Sequence, residues 1–124
     1  MLSEGQAAAT LAVSDMGRAR KFYADTLGFA VKMESEGGTI FEAGQGKAIF
    51  VYQSQFAGTN KATAVSFNVT DFDGTIADLR TRGITFIDYD FPGLKTENGV
   101  AQTPEGPGAW FADPDGNLIA VTSM

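Results

Sequence analysis

Phe41 to Val51 reads FEAGQGKAIFV, and Phe111 to Val121 reads FADPDGNLIAV. Superimposing the two puts Phe111 on Phe41, Gly116 on Gly46, Ile119 on Ile49 and Val121 on Val51. Each copy is an apolar strand, a tight turn and a second apolar strand. In the later copy Pro114 presets φ, Asp115 and Asn117 can bond nearby backbone, and Gly116 tolerates positive φ. A repeat of this kind means that one substructure is built twice.

The segments before each copy extend the repeat. Ala7 to Ser14 alternates as a strand, with Leu11 and Val13 on one side and Thr10 and Ala12 on the other. Asp15 stands where a helix N-cap belongs, and Met16, Ala19, Phe22, Tyr23 and Leu27 recur at helical spacing up to a stop at Gly28. Phe29 to Met33 and Thr39 to Phe41 are predicted strands, and Ala48 to Tyr52 the next. The order then recurs. Ala64 to Thr70 is a strand, Asp71 or Asp73 the cap, Phe72, Ile76 and Leu79 the apolar stripe, Gly83 the stop, and Ile84 to Asp90 the next extended run. The expectation is an α+β chain of 124 residues forming one domain, with βαβββ modules at about 5–54 and 62–124. The copies differ chiefly at Phe91 to Pro107, a Gly- and Pro-rich stretch read as a loop of the kind that often serves as a lid.

Composition narrows the chemistry. The chain has no cysteine and no histidine, so it offers no thiolate, no disulfide, and neither the commonest metal ligand nor the commonest neutral-pH base. Fifteen acids against nine bases give a formal charge of −6, which disfavours nucleic-acid and anionic-membrane partners. The N-terminus lacks a basic n-region and no apolar run approaches a membrane span, so a cytoplasmic location is expected.

Period-2 alternation assigns the strand faces. Leu11, Val13, Ile49, Val51, Val65, Phe67, Val69, Ile119 and Val121 form large apolar faces suited to covering helices. The opposite faces carry Ala8, Thr10 and Ala12; Ala48, Phe50 and Tyr52; Ala64, Ser66 and Asn68; Leu118, Ala120 and Thr122. Side chains this small cannot fill a barrel interior, so these faces are expected to leave a pocket. The candidate ligand-binding residues are Thr10, Phe50, Tyr52, Ala64, Ser66, Asn68, Trp110, Ala120 and Thr122. Phe50, Tyr52 and Trp110 would supply flat walls, although Trp110 reads equally well as core. Asn68 and Ser66 would orient a ligand by hydrogen bonds. Asp88 and Asp90 lie on one side of their strand and offer a carboxylate pair, but a solvated strand end is the simpler reading. Asp113 and Asp115 are accounted for by the turn, and Glu97, Glu105 and Lys95 by a solvated loop.

DMGRARKFYADTLGF followed by the late WFADPDGNLIAV resembles the vicinal oxygen chelate superfamily, which includes glyoxalase I, extradiol dioxygenases and bleomycin and fosfomycin resistance proteins. The resemblance implies paired βαβββ modules curling into an incomplete barrel around a ligand cleft, and homodimers. In metal-using relatives four strand positions supply the ligands, and motif by motif these fall on Ala8, Phe50, Ala64 and Ala120. None can coordinate a metal, and a divalent ion needs several oxygen or nitrogen donors. The expectation is a cofactor-free homodimer that holds a small aromatic or amphipathic molecule, with no catalytic residue. The alternative is a lyase, isomerase or dioxygenase that draws on Asp88, Asp90, Glu97 or Glu42.

Overall fold

The computed structural model describes residues 1–124, which divide into two compact units, Met1–Ala57 and Gly58–Met124. The fold is mixed α+β with two sheets that are not closed into a barrel.

In the first unit, β1 (Ala9–Val13) leads into α1 (Met16–Arg20), and β2 (Ala30–Ser35), β3 (Gly38–Glu42) and β4 (Ala48–Gln53) follow. Their order in the sheet is β1-β4-β3-β2, with β1 parallel to β4 and the other pairs antiparallel. The Asp15 carboxylate accepts from the Arg18 amide at 3.0 Å, which caps the helix as its position in the sequence predicts. Beyond Arg20 the helix widens over Lys21–Thr26, where the Leu27 amide reaches Phe22 O, five residues back, at 2.9 Å. Gly28 then turns left-handed at φ 81. Tyr23, fully buried, packs on Phe41 at 5.6 Å between ring centroids. Leu11, Val13, Ile49 and Val51 are buried on the same side, so the large-residue face of this sheet is the one that the helix covers. Each such side chain contributes about 1.5–3 kcal/mol when fully buried.

In the second unit, β5 (Thr63–Val69) precedes α2 (Phe72–Thr81), and five strands follow: β6 (Asp90–Phe91), β7 (Leu94–Glu97), β8 (Val100–Thr103), β9 (Gly106–Ala112) and β10 (Leu118–Ser123). The sheet order is β5-β10-β9-β8-β7-β6, with β5 parallel to β10. Asp71, not Asp73, caps α2, its carboxylate accepting from the Gly74 amide at 3.0 Å. Phe72 and Ile76 are buried while Leu79 is half-buried. Val65, Phe67 and Val69 are also only half-buried.

The repeat read from the sequence sets the register. Phe41 pairs with Ile49 and Phe111 with Ile119; Leu11 pairs with Val51 and Phe67 with Val121. Both turns close with the same bond, Ala43 N to Lys47 O at 2.7 Å and Asp113 N to Asn117 O at 3.0 Å. In the second turn the Asp113 carboxylate is a hub of hydrogen bonds. Its Oδ1 accepts from the Asp115 and Asn117 amides at 2.9 and 2.8 Å, and its Oδ2 from Asn117 Nδ2 at 2.8 Å.

Two expectations are corrected. Phe91 to Pro107 is not an irregular loop: it forms the β6–β7 hairpin, then β7–β8, and the start of β9. Its glycines serve the hairpin turns, with Asn98 at φ 52 followed by Gly99 at φ 79 joining β7 to β8. The counterpart of β2 is consequently β8, which pairs with β9 as β2 pairs with β3. Ile84 to Asp90 is not that strand. It runs beside β9 through one backbone bond, Ile87 N to Trp110 O at 2.8 Å, and forms ladder pairs only from Asp90.

Candidate functional site

On the face of the first sheet opposite its helix, Thr10 pairs with Phe50, Ala12 with Tyr52, and Ile40 with Phe50. Phe50 and Tyr52 project from the same side of β4 and stack with centroids 5.9 Å apart and planes 7° from parallel. Both are half-buried, so a double aromatic wall keeps part of its surface open. The wall has room because position 38 is glycine. A β-carbon at Gly38 would come within 2.7 Å of the Phe50 ring and 2.6 Å of Val51 O. The Thr10 hydroxyl is exposed and reaches Ala8 O at 3.5 Å.

The second unit repeats this arrangement with different side chains. Ser66, Ala120 and Trp110 form one row across β5, β10 and β9; Asn68, Thr122 and Gly108 form the next. The Thr122 hydroxyl donates to Asn68 Oδ1, so Asn68 keeps its amide nitrogen for another acceptor. Ser66 and Asn68 are exposed, Ala64 and Thr122 half-buried, and Ala120 only 3% exposed. Trp110 occupies the position equivalent to Ile40 and projects away from buried Phe111. A β-carbon at Gly108 would lie 3.5 Å from the Trp110 ring, so a small residue again sits beneath the aromatic one.

The candidate residues thus fall into two sets. Thr10, Phe50 and Tyr52 share a face of the first unit; Ser66, Asn68, Trp110, Ala120 and Thr122 share one of the second, and Ala64 lies at the irregularity where the β5–β10 register shifts. Sequence reasoning missed Tyr89 and Phe91, which continue the Trp110 side: Tyr89 stands edge-on to Trp110 and Phe91 to Tyr89, each at 5.6 Å. The signal was present, since Tyr89 and Phe91 alternate with Asp88 and Asp90.

The carboxylates of the alternative reading are disposed differently. Asp88 Oδ1 accepts from the Thr96 hydroxyl and from the Gly99 amide, both at 2.7 Å. Those two bonds, with a lesser pull from Arg80, hold its carboxyl below the ordinary aspartate value against the opposing effect of desolvation. Arg80 donates to Asn98 O, so the Asn98–Gly99 peptide is gripped at both ends. An open groove of about 490 Å³ lies here, bordered by Arg80, Phe86, Asp88, Asn98 and Gly99, and touches none of the nine candidate residues. Asp90 sits cross-strand from Lys95, Glu97 from Val100, and Glu42 lies 4.0 Å from Lys32. No group of three or more His, Cys, Asp or Glu side chains gathers as a metal site. Ala8, Phe50, Ala64 and Ala120, the positions to which the resemblance assigns metal ligands, carry methyl groups and a phenyl ring, which do not coordinate a metal.

Residues 5–121 match the family described as the Glyoxalase/Bleomycin resistance protein/Dioxygenase superfamily. The chain belongs to this superfamily. Three solved structures illustrate the kinship. A bleomycin-binding protein from Streptomyces verticillus, in complex with copper(II)-bleomycin, is 19% identical with a TM-score of 0.72, the match covering 97% of this chain and 96% of that one. A superfamily member from Sphaerobacter thermophilus is 25% identical with a TM-score of 0.69, covering 94% of each. TnmS3, an antibiotic binding protein from Streptomyces sp. CB03234, is 25% identical with a TM-score of 0.62, covering 96% of each. A comparison with curated proteins gives no match. No helix is long and apolar enough to cross a membrane.

Proposed function

We propose that this protein binds a small aromatic or amphipathic molecule without a metal, in the manner of the drug-binding branch of its superfamily. The observation that carries the reading is the pair of sheet faces built from flat walls over small residues: Phe50 and Tyr52 beside Gly38, and Trp110 beside Gly108 and Ala120. Apolar and aromatic surface supplies the affinity. Thr10, Ser66, Asn68 and Tyr52 supply orientation through hydroxyl and amide groups. The bleomycin-binding and antibiotic-binding proteins of the same fold support the reading by analogy. The formal charge of −6 suits a cationic ligand over an anionic one. In this reading the protein is a cytoplasmic homodimer.

Thermal-shift screening against aromatic and cationic compounds tests the proposal. A true ligand at about one hundred times its Kd stabilises by about 2.7 kcal/mol. Ser66→Trp places a bulky ring in the row of Ala120 and Trp110 and is expected to abolish that shift while leaving the fold intact. Equal shifts in wild type and variant would overturn the assignment of the binding face. A stoichiometric divalent ion in metal analysis of the purified protein would overturn metal independence.

A further inference from the structure

The aromatic surface of the second unit extends past Trp110. Tyr89 meets Trp110 with ring centroids 5.6 Å apart and planes at 86°, and Phe91 meets Tyr89 at 5.6 Å and 71°. Three rings therefore run in file from β9, across the 84–89 segment, onto β6. Their backbone is pinned on both sides. Ile87 N donates to Trp110 O at 2.8 Å, Tyr89 N to the Thr96 hydroxyl at 2.8 Å, and Thr96 N to Tyr89 O at 2.9 Å, while Phe91 pairs with Leu94. Rings on a fixed backbone lose little freedom when a ligand arrives. Phe91 nevertheless stays 53% exposed at the outer end of the file. A phenyl ring left half in water forgoes much of the gain that burial brings, so an apolar ligand that covers it recovers that gain.

We infer that Tyr89 and Phe91 set the class of ligand: the site takes a planar aromatic of two or more fused rings, one ring against Trp110 and the remainder along Tyr89 and Phe91. The inference rests on the binding-protein reading above and adds to it a requirement for length. Edge-to-face neighbours suit such a ligand, since the open face of each ring accepts a further ring offset or edge-on.

Pyridine, quinoline and acridine form a test series, each with one ring nitrogen and differing by a fused ring. Binding is read by calorimetry and by quenching of Trp110, the sole tryptophan and so a local reporter. The expected result is affinity rising along the series in wild type. Phe91→Ala and Tyr89→Leu should weaken acridine by about tenfold and leave pyridine unchanged. Phe91→Ala is an exposed change at a hairpin, and an unaltered melting temperature confirms its fold. Equal acridine affinity in wild type and both variants overturns the inference and spares the binding-protein reading. Sedimentation that shows Phe91→Ala converting a dimer to monomers also overturns it, because the ring is then a subunit contact. Failure of wild type to bind acridine overturns the inference, while the thermal-shift screen decides the binding-protein reading separately.

Discussion

Asp88 illustrates how one side chain becomes structural through its neighbours. Its place in the sequence suggests half of a carboxylate pair with Asp90; its bonds to the Thr96 hydroxyl and the Gly99 amide make it the anchor of the β7–β8 turn instead. Its pKa is lower folded than unfolded, so ionised Asp88 favours the fold. That contribution is complete above the ordinary aspartate pKa and is lost as pH falls through the lowered folded value. Asp88→Asn keeps an acceptor for both donors and removes the charge. It should therefore flatten the acid limb of the stability profile relative to wild type, measured by urea denaturation at a series of pH values. An unchanged acid limb would show that Asp88 does not contribute to it. The partners explain why this role was hidden in the sequence. Thr96 and Gly99 lie across a hairpin, and no local pattern announces a bond over that separation.

Helix caps behave oppositely, because cap and amide are three residues apart and local chemistry decides them. At α2 the cap comes with a constraint on Gly74, where an added β-carbon would fall inside the Asp71 carboxylate. Two effects of similar size then compete. Alanine is a better helix former than glycine by up to about 1 kcal/mol, while losing an aspartate cap costs about 1 kcal/mol. Asp71→Ala alone should destabilise by about 1 kcal/mol. Gly74→Ala should be nearly neutral in wild type, yet stabilise by up to about 1 kcal/mol in the Asp71→Ala background; a double-mutant cycle by denaturant titration measures this. Additive effects would rule out the steric coupling. Strands were legible where they alternate strongly, as in β1, β4, β5 and β10. The 91–107 stretch was not, because glycine marks an irregular loop as readily as it marks the tight turns of a meander. Which strand pairs with β9 depends on partners far along the chain rather than on local propensity.

For the whole molecule, the homodimer is the expectation most open to direct measurement: sedimentation should give about twice the 13.1 kDa chain mass, and a monomer at micromolar concentration would remove it. The sequence by itself determined the repeat, and through it the α+β class, the two helices and the Asp15 cap of the first, whereas the choice of Asp71 over Asp73 at the second came from the structure. A strand exposes alternate residues to opposite sides, and a helix repeats every 3.6, so these patterns are written locally. It also determined that Ala8, Phe50, Ala64 and Ala120 cannot ligate a metal, which is a matter of side-chain chemistry alone. Tertiary structure decided the rest. The hairpins of 91–107, the binding of Asp88 to the Asn98–Gly99 turn, and the file of Trp110, Tyr89 and Phe91 all bring together residues on different strands. Their energies come from contacts that exist only once those strands lie side by side; the 88–91 alternation puts Tyr89 and Phe91 on one side of the chain but does not bring Trp110 next to them.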